Sequence, residues 1–265
     1  MLVIKLGGSA GLNYEAFLDD LARVEEPTVF IHGGNVEFDR VSRQLGLEPR
    51  HVTSSNGQAS RFTDRETLEV MMMVYCGKMN KTLVEGLQRR GVNAVGLSAL
   101  DGRIATGRRK DTIRVIENGK PKMLRGDYAG SIEEIDTTLL TLLLGAGYLP
   151  VLTPPALSSN GEAINVDGDK LSTEIAVALG ADQLLVFSNT PGLLADVKDE
   201  SSLVSTISLA NMDEAGAMAQ GRMKTKVRAA QDAIERGVGR VIFADARIER
   251  PIAQALEGAG TTIMA

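Results

Sequence analysis

Short runs of apolar and β-branched residues alternate along this chain of 265 residues with longer segments whose apolar residues recur at helical spacing. Such alternation is typical of a largely parallel sheet whose strands are joined by helical crossovers. We therefore predict an α/β fold, a three-layer αβα sandwich with a mostly parallel central sheet. The predicted strands are residues 2–6, 28–31, 94–97, 149–152, 184–187, 240–243 and 261–264. The predicted helices are residues 14–23, 36–45, 64–90, 135–146, 167–179 and 222–236.

Two further regions, residues 52–62 and residues 104–124, each contain an Asn-Gly dipeptide and predict β-hairpins. Both residues of that dipeptide tolerate the positive φ angles of a tight hairpin turn. A stretch rich in proline, serine and glycine, residues 153–161, is the best candidate for a boundary between two lobes. We expect the lobes to be residues 1–160 and residues 161–265.

Composition excludes several classes of protein. Cys76 is the single cysteine, and His32 and His51 are the only histidines, which excludes disulfide frameworks and Cys/His zinc sites and disfavours hydrolases that rely on histidine. No apolar run approaches the roughly 20 residues that a membrane span requires. The chain also begins without a basic leader, so we expect a cytoplasmic protein with no membrane partner. The net charge of −5 argues against a nucleic-acid partner.

Two of the predicted strands end in glycine turns that lead into helices. Lys5 and the glycines Gly7 and Gly8 end the first strand, and Gly33 and Gly34 follow the second. Glycines at such turns let backbone N–H groups approach an anion, and the helix N-terminus adds a favourable dipole. A lysine in a buried strand is costly unless a phosphate or carboxylate meets it. Ligands of open α/β sheets collect at these strand ends, so we predict an anion site there.

The common phosphate-binding motifs are missing from the chain. It has no G-x4-G-K-[ST] segment and no histidine-arginine-aspartate catalytic loop, and the pair Gly145 and Gly147 lacks the third glycine of a dinucleotide fingerprint. P-loop enzymes, protein kinases and the usual dehydrogenases are therefore excluded.

Seven other motifs occur in order through nearly the whole chain. They are Lys-x-Gly-Gly-Ser at residues 5–9, His-Gly-Gly at 32–34, Arg-x-Thr-Asp at 61–64, Gly-Lys-x-Asn-Lys at 77–81, Asn-x-Asp at 165–167, Ser-Asn-x-Pro-Gly at 188–192 and Gly-x-Met-x-x-Lys at 221–226. Together they resemble the amino acid kinase family, most closely its N-acetylglutamate kinase branch. The resemblance implies a carbamate kinase-like fold, ATP as phosphoryl donor and Mg²⁺ brought with the ATP, without a separate metal site.

The resemblance assigns the catalytic roles to three residues. Lys5 and Lys226 match the lysines that neutralise the transferring phosphoryl group, and Asp167 matches the carboxylate that holds both in place, although Asp167 also suits a helix N-cap. The resemblance implies that the phosphoryl acceptor is a side-chain carboxylate. Such a group has a pKa of about 4.3, so it is ionised at neutral pH and needs no general base. Such a site needs lysines, backbone amides and Mg²⁺ rather than histidine.

The resemblance also implies a binding site for a small acidic amino acid whose α-amino group is blocked. Gly33 and Gly34 match the turn that cradles this substrate, Arg61 the clamp on its α-carboxylate, and Asn165 a further asparagine on the substrate side. Asn35, which stands where acetylglutamate enzymes usually have a third glycine, joins this group. The residues implied in ATP binding are Gly7, Gly8, Ser9, Ser188, Asn189, Gly192, Leu193 and Met223.

One segment of the chain is strongly basic. Residues 103–125 carry eight basic and two acidic side chains, a local charge of +6 within a chain of net charge −5. Several segments here and nearby resemble the branch whose substrate, α-aminoadipate or glutamate, is attached through its α-amine to the small acidic carrier protein LysW. A basic surface attracts such a carrier. The expected docking residues are Arg103, Arg108, Arg109, Lys110 and Arg125.

The residues leave alternatives open. One is free N-acetylglutamate as substrate, since some acetylglutamate kinases are also basic in this region. Aminoadipate and glutamate differ by one methylene, worth about 1–3 kcal/mol in a pocket, so lysine and arginine biosynthesis both remain as pathways. A carbamate or uridylate kinase is a weaker alternative, and so is a non-catalytic ligand-sensing module, which does not need both lysines.

The resemblance bears on assembly as well. The first strand begins almost at Met1, so we expect no N-terminal helix of the kind that links hexamers and senses arginine in some relatives. The predicted helix 64–90 carries a stripe of Leu and Met side chains suited to core and subunit contact. We therefore expect a homodimer formed through the central sheet and this helix.

Overall fold

The computed structural model describes residues 1–53, 59–117 and 120–265, and its strands are short and largely apolar. In chain order the strands are β1 (Leu2–Leu6), β2 (Thr28–His32), β3 (His51–Thr53), β4 (Ala59–Arg61), β5 (Ala94–Ser98), β6 (Ala105–Arg109), β7 (Thr112–Glu117), β8 (Lys120–Arg125), β9 (Gly130–Ile135), β10 (Leu149–Thr153), β11 (Ala156–Ser158), β12 (Ala163–Ile164), β13 (Gln183–Ser188), β14 (Thr206–Ser208), β15 (Arg240–Asp245) and β16 (Thr261–Met264). The helices are α1 (Tyr14–Leu21), α2 (Asn35–Gln44), α3 (Arg65–Met72), α4 (Asn80–Arg89), α5 (Thr138–Gly145), α6 (Gly168–Ala178), α7 (Met212–Met218), α8 (Arg222–Glu235) and α9 (Pro251–Leu256). A π-helical segment (Met73–Met79) joins α3 to α4.

Eight strands of the described residues form the central sheet, in the order β14-β16-β15-β13-β1-β2-β10-β5. The neighbours run parallel except for β15 and β16, which are antiparallel. Because β1 has β2 on one side and β13 on the other, the strand order reverses at β1. Open α/β sheets bind their ligands at such a reversal. The prediction of an α/β fold with a mostly parallel central sheet is confirmed.

Helices cover both faces of this sheet, which gives three layers. On one face Val3 and Val186 pack with Leu171 of α6 and with residues of α8. On the other face Ile4 packs with Phe17 of α1 and with residues of α4 and α9. Successive residues of a strand point to opposite faces, so strands that are covered on both sides must be apolar throughout. This explains why β1 reads as a continuous apolar run apart from its lysine.

A second, four-stranded sheet has the order β12-β11-β6-β9, and two hairpins pair β3 with β4 and β7 with β8. The hairpin predicted at residues 52–62 is confirmed, whereas the one predicted at residues 104–124 is too long. Its first strand, β6, pairs instead with β9 and β11 of the four-stranded sheet. Both Asn-Gly turns fall within residues 54–58 and 118–119, which lie outside the described residues.

Two helix predictions need correction, and two short helices were not predicted. The helix predicted at 135–146 begins at Thr138, because the residues before it form β9, whose partner β6 is distant in sequence. The helix predicted at 64–90 is continuous but π-helical over Met73–Met79, and Asp64 caps its start by accepting from Thr67 N–H at 2.9 Å. The short helices α7 and α9 were not predicted.

None of the helices in the described ranges combines the length and the apolar character that a bilayer span requires.

Candidate active site

The two glycine turns lie side by side at the carboxyl ends of β1 and β2. These strands are parallel neighbours whose register ends at Leu6 opposite His32, so the turns that follow them emerge together. Gly33 N–H donates to Leu6 O at 3.0 Å, and Val36 N–H donates to Gly8 O at 3.1 Å. These two bonds tie the turns to each other.

The contact between the turns leaves no space for a side chain at Gly8. A Cβ built on Gly8 would lie 2.5 Å from Gly34 N and 2.5 Å from Asn35 N, closer than real Cβ atoms come to other atoms. The backbone of one turn can approach the other only because Gly8 has no Cβ. The glycine is therefore required by packing as well as by any ligand.

Backbone donors collect at this junction. The N–H groups of Gly8 and Asn35 have no acceptor among the described residues, and Asn35 is the first residue of α2. Gly34 N–H faces the hydroxyl oxygen of Tyr75 and lowers its pKa, against the larger raising effect of burial, which leaves that pKa at about 12. A phenol oxygen is a weaker acceptor than an anion. The start of α2 therefore offers donors and a favourable dipole to an anionic ligand.

Lys5 and Lys226 meet at one carboxylate beside these turns. Lys5 Nζ lies 2.6 Å from Asp169 Oδ1, and Lys226 Nζ lies 3.0 Å from the same oxygen. The two lysine side chains are only 9% and 11% exposed. One carboxylate balances one of the two ammonium charges, so the cluster keeps a net positive charge in a largely buried place. Such a charge is costly unless an anion joins it.

The carboxylate between the lysines corrects the sequence analysis, which expected Asp167 in this role. Asp167 is exposed and caps α6, where its Oδ1 accepts from the N–H groups of Asp169 and Lys170 at 2.9 Å each. Asp169 lies in the first turn of the same helix and reaches Lys5 on β1. The helix N-cap, which was the alternative reading of Asp167, is the one that the structure shows.

The pKa shifts in this cluster follow from burial and from the neighbouring charges. Burial raises the pKa of Asp169, but the charges of Lys5 and Lys226 outweigh this effect and hold the pKa well below its usual range. Burial and then the charge of Lys5 lower the pKa of Lys226 to about 8, although Asp169 opposes the shift. A negative charge added nearby would favour the Lys226 ammonium and raise its pKa.

Ion pairs between α6 and α8 fix the relative positions of Asp169 and Lys226. Lys170 Nζ lies 2.7 Å from Asp232 Oδ2 and 3.0 Å from Glu174 Oε1. Arg236 adds bonds of 2.9 Å to Glu174 and 3.2 Å to Asp232. A network that includes a bidentate arginine holds geometry better than isolated surface pairs do.

On the predicted substrate side, Arg61 lies next to Asn35, and its guanidinium already has partners within the chain. Arg61 Nη2 lies 2.6 Å from Asp39 Oδ1, and the guanidinium carbon lies 4.2 Å from the centre of the Phe38 ring. Asn35 Oδ1 accepts from Tyr75 Oη at 2.7 Å and from Arg61 Nη1 at 3.5 Å. Arg61 Nε is buried without a partner among the described atoms, which leaves a donor for a further acceptor.

Asn165 connects three segments of the substrate side. Its Nδ2 donates to Thr63 Oγ1 at 3.0 Å, and Gly130 N–H donates to its backbone oxygen at 2.8 Å. Asp127 accepts from Thr63 N–H at 3.1 Å, and its burial raises its pKa. Arg61, two residues from Thr63, is therefore held close to Asn165 through the backbone.

The predicted ATP-binding residues divide into two groups. Ser9, Ser188, Asn189 and Met223 lie at strand or helix ends and keep some exposure, as a ligand contact requires. Leu193, in contrast, is 1% exposed and its N–H donates to Thr261 Oγ1 at 2.8 Å.

Gly192 packs against the same threonine, since a Cβ on Gly192 would lie 2.5 Å from Thr261 Oγ1. The structure thus places Gly192 and Leu193 in the core rather than at the surface. Their motif is explained by packing.

The hairpin β7-β8 presents two faces. Its inner face buries Val115 against β3 and β4, whereas Arg114 and Arg125 are exposed on the outer face. The outer face also carries Ile116 and Met123, which are 45% and 55% exposed. Residues directly opposite each other in an antiparallel pair share a face, as Arg114 and Met123 do. This outer face is a mixed basic and apolar surface.

Arg109 is placed differently from the docking prediction. Its Nε donates to Asp127 O at 2.8 Å, its Nη1 lies 3.1 Å from Glu162 Oε1, and its guanidinium carbon lies 3.5 Å from the centre of the Tyr128 ring. The side chain is fully engaged within the chain, so it offers no free charge to a partner. Arg109 is a structural residue that links β6 to the segment before Asn165.

The other predicted docking residues are exposed. Arg103 has a positive φ of 58° and an exposed side chain, and Lys110 is exposed as well. Arg108 pairs on the surface with Glu133 at 2.8 Å, a contact of little energetic weight. We define the basic surface as five exposed basic side chains of this segment, Arg103, Arg108, Lys110, Arg114 and Arg125.

Sequence reasoning missed the roles of Asp169, Tyr75 and Asn80. The Asp-Gly-Asp segment at 167–169 offers two carboxylates, and the motif at 77–81 contains Asn80, but neither pattern shows which side chain turns inward. In the described part of the chain, no group of three His, Cys, Asp or Glu side chains is placed to hold a metal ion.

Comparison with known proteins gives consistent results. The model of the amino acid kinase family matches residues 1–245. The [LysW]-aminoadipate kinase of Deinococcus radiodurans is 55% identical over 99% of this chain and 91% of its own length, and that of Thermus thermophilus is 53% identical over 99% and 100%. An acetylglutamate kinase of Methanopyrus kandleri is 35% identical over 99% of this chain and 100% of its own.

Solved structures with low sequence identity share the fold. The N-acetylglutamate synthase of Neisseria gonorrhoeae superposes with a TM-score of 0.80 at 24% identity, over 100% of this chain and 59% of that one. The carbamate kinase of Giardia lamblia superposes with a TM-score of 0.71 at 15% identity, over 99% and 98%. The matches to the family model and to full-length relatives establish that this chain belongs to the amino acid kinase family.

Proposed function

We propose that this chain phosphorylates the side-chain carboxylate of α-aminoadipate attached to the carrier protein LysW, with ATP as the phosphoryl donor. The observation that carries the proposal is the convergence of Lys5 and Lys226 on Asp169 beside the two glycine turns. The names of the relatives at 55% and 53% identity supply the acceptor. The product is an acyl phosphate, and ADP is released.

The proposed reaction needs charge neutralisation and alignment more than proton transfer. A carboxylate oxygen of the acceptor attacks the γ-phosphorus, and the bond from that phosphorus to the β–γ bridging oxygen breaks, so ADP leaves with the electron pair. The acceptor is already ionised at neutral pH and gives up no proton. Lys5 and Lys226 neutralise the transferring group, and the N–H groups of the glycine turns orient it.

The residues present suit a nucleotide triphosphate. Two ammonium groups, the free N–H of Gly8 and the start of α2 form a donor set made for phosphate oxygens. Ser188, Asn189 and Met223 are proposed to contact the nucleotide from β13 and α8. Mg²⁺ bound to the phosphates would spread their negative charge during transfer.

The substrate side is proposed to bind the amino-acid part of the acceptor. Arg61 supplies a planar guanidinium for a carboxylate. Its unpaired Nε is a donor for which the carboxylate of the amino acid can be the acceptor. Gly33, Gly34, Asn35 and Asn165 line the same side. Asn35 contributes an amide whose oxygen is held by Tyr75.

We propose that LysW docks on the basic surface. Positive charge there steers an acidic carrier and sets its register, while the exposed Ile116 and Met123 add apolar contact area. Strand β6, which carries Arg108, adjoins the substrate side, because Arg109 of the same strand donates to Asp127 O and the next residue, Tyr128, accepts from Asn165 N–H. A carrier on this surface can therefore present its amino acid to the site.

A coupled assay of ADP release tests the acceptor. We expect turnover with LysW-bound aminoadipate and at most weak turnover with N-acetylglutamate. The double variant Arg114→Glu, Arg125→Glu should raise KM for the carrier-bound substrate about tenfold or more at low salt, with little change in kcat. The matched control is Arg89→Glu, which reverses an exposed charge on α4. Equal turnover of free N-acetylglutamate, unchanged in the double variant, would exclude the carrier.

The alternative acceptor is free N-acetylglutamate, favoured by the acetylglutamate kinase relative at 35% identity. Carrier-bound aminoadipate and carrier-bound glutamate differ by one methylene. The ratio of the two kcat/KM values measures how strongly the pocket discriminates for or against that methylene. The same assay, run with both carrier-bound acids, decides between them.

A homodimer and two lobes are also proposed. Met73 of the π-helical segment and Leu142 of α5 are 59% and 67% exposed, which suits a subunit contact near the edge strand β5. The lobes are residues 1–160, with the substrate side, and 161–265, with the nucleotide side. Sedimentation of Met73→Lys and of the parent tests the first proposal, because only a dimer that uses this helix dissociates.

A further inference from the structure

His32 is a buried side chain that the proposed chemistry does not use. It is 1% exposed at the end of β2, immediately before the second glycine turn. Its Nδ1 lies 3.0 Å from Gly33 O, and its Nε2 lies 3.1 Å from Asn80 Nδ2. Both ring nitrogens therefore have partners, one on each side of the ring.

The partners determine which nitrogen carries the proton. Asn80 Nδ2 also donates to Val151 O at 2.9 Å, so it is the amide nitrogen and can only donate to the ring. Nε2 is consequently the acceptor, and Nδ1 must carry the hydrogen that is donated to Gly33 O. Burial lowers the pKa of His32 to about 4, so the ring is neutral in this tautomer at physiological pH.

The π-helical segment explains how Asn80 reaches the ring. Tyr75 lies within the segment and Asn80 follows its end, and both contact the second glycine turn, one at Asn35 and the other at His32. An interruption of regular α-helix is common at functional sites because it redirects side chains. Here it brings Asn80 within hydrogen-bond distance of His32 Nε2.

The bond from His32 fixes one peptide plane of the turn. Gly33 C=O and Gly34 N–H belong to the same planar trans peptide, so they point in opposite directions. With Gly33 O held by the buried ring, Gly34 N–H is directed away from the ring, towards the Tyr75 hydroxyl oxygen, whose place an anion can take. Gly34 N itself lies beside the first turn, because a Cβ on Gly8 would lie 2.5 Å from it. Glycine alone would leave this plane free to rotate.

We propose that His32 is a positioning residue that aims the Gly34 N–H at the reacting anion, with Asn80 fixing the required tautomer. The inference rests on the proposed phosphoryl transfer and adds a role for two residues that contact neither substrate. Thr153 Oγ1 supports the same turn by donating to His32 O at 3.2 Å. The turn is then preorganised, so it needs no rearrangement when charge develops.

The test compares two variants of nearly equal shape. His32→Leu removes the donor to Gly33 O, whereas His32→Asn keeps an amide N–H close to the position of Nδ1. We expect kcat of His32→Leu to fall about 10²-fold with KM for ATP little changed, because a transition-state donor is misdirected. His32→Asn should recover at least tenfold of that loss. Equal kcat in the two variants, at equal thermal stability, would overturn the proposal.

A measurement on the parent protein covers the case in which His32→Leu does not fold. Nitrogen NMR of the imidazole rings distinguishes the two tautomers. His51 is the one other histidine in the chain, so its signals are the only ones that must be assigned separately from those of His32. We expect the Nδ1–H tautomer from pH 6 to pH 8; the Nε2–H tautomer would contradict the proposal. If the parent lacks kinase activity, the proposed function fails, whereas an active parent with an active His32→Leu variant refutes only the positioning role.

Discussion

Lys5 and Lys226 contact the same oxygen of Asp169, at 2.6 and 3.0 Å, although they come from opposite ends of the chain. Lys5 lies on the central strand β1 and Lys226 on α8, which packs beside α6 on one face of the sheet. The shared oxygen places two ammonium groups at the reversal of strand order, next to the glycine turns. A transferred phosphoryl group between two such charges is stabilised as its own charge spreads.

Removal of one of these ammonium groups should impair chemistry more than folding. We expect Lys226→Met to lower kcat about 10²- to 10³-fold, because a donor to the transition state is lost. Stability should change little, since Asp169 keeps Lys5 as its partner. The control is Lys224→Met, an exposed lysine on the same helix. Parent-like kcat in Lys226→Met would remove this lysine from the mechanism.

The two acids at the start of α6 should behave differently when each is changed to asparagine. Asp169→Asn leaves two buried ammonium groups without a counter-charge, so we expect a loss of about 3–5 kcal/mol in the free energy of unfolding together with loss of activity. Asp167→Asn keeps a good N-cap and should cost less than about 0.5 kcal/mol. Urea unfolding of both variants measures the difference. A larger loss in Asp167→Asn would reverse the assignment.

Gly8→Ala should break the contact between the glycine turns. The added Cβ would lie 2.5 Å from Gly34 N and Asn35 N, both backbone atoms, so one turn must move. We expect activity to fall at least about 10²-fold, because displaced turns misalign the N–H donors. Gly216→Ala on α7 is the control, since its Cβ meets no atom within 4 Å and alanine favours helix. Activity assays of Gly8→Ala and Gly216→Ala test this expectation, and equal activity of the two variants would contradict it.

The pH dependence should report the Lys226 ammonium. Because the pKa of Lys226 is lowered to about 8, kcat/KM should fall as pH rises through 8, where the free enzyme loses this charge. Bound phosphate favours the ammonium, so kcat should persist to higher pH. A kcat/KM profile that stays level to pH 9.5 would contradict the role of Lys226.

The same shift has a consequence for stability. The pKa of a lysine in the unfolded chain is about 10.4, whereas that of Lys226 in the folded chain is about 8. Between these two values the unfolded state binds more protons than the folded state. The contribution of Lys226 to the free energy of unfolding therefore rises with pH in this window and is smallest below pH 8. Denaturation of the parent and of Lys226→Met at pH 7.5 and pH 10 should show this difference; equal pH dependence would refute it.

The sequence was sufficient to predict seven of the eight strands of the central sheet, all but β14, because most of these strands are continuous apolar runs. It did not predict the four-stranded sheet, since β6 and β9 pair across a distance that no local pattern encodes. The wrong choice of Asp167 over Asp169 has the same cause, a contact between residues that are distant in the sequence. Both acids stand at the start of α6, and only the rotation of that helix against β1 decides which one faces Lys5.

The docking residues show a second limit of sequence reasoning. Arg109 is one of eight basic residues in the segment. Its guanidinium, however, pairs with Glu162, donates to Asp127 O and stacks on the Tyr128 ring. A count of charges cannot distinguish a free cation from one that is paired inside the chain. Arg114, which was in the counted segment but not among the expected docking residues, is exposed on the outer face of its hairpin.

A crystal structure with ADP, Mg²⁺, aluminium fluoride and the acceptor would test the mechanism most directly, because the fluoride occupies the position of the transferring phosphoryl group. We expect the Nζ atoms of Lys5 and Lys226 to lie within hydrogen-bond distance of the fluoride, with Asp169 still between them. A complex in which either ammonium points away from the fluoride, while the acceptor carboxylate is aligned for attack, would contradict the mechanism.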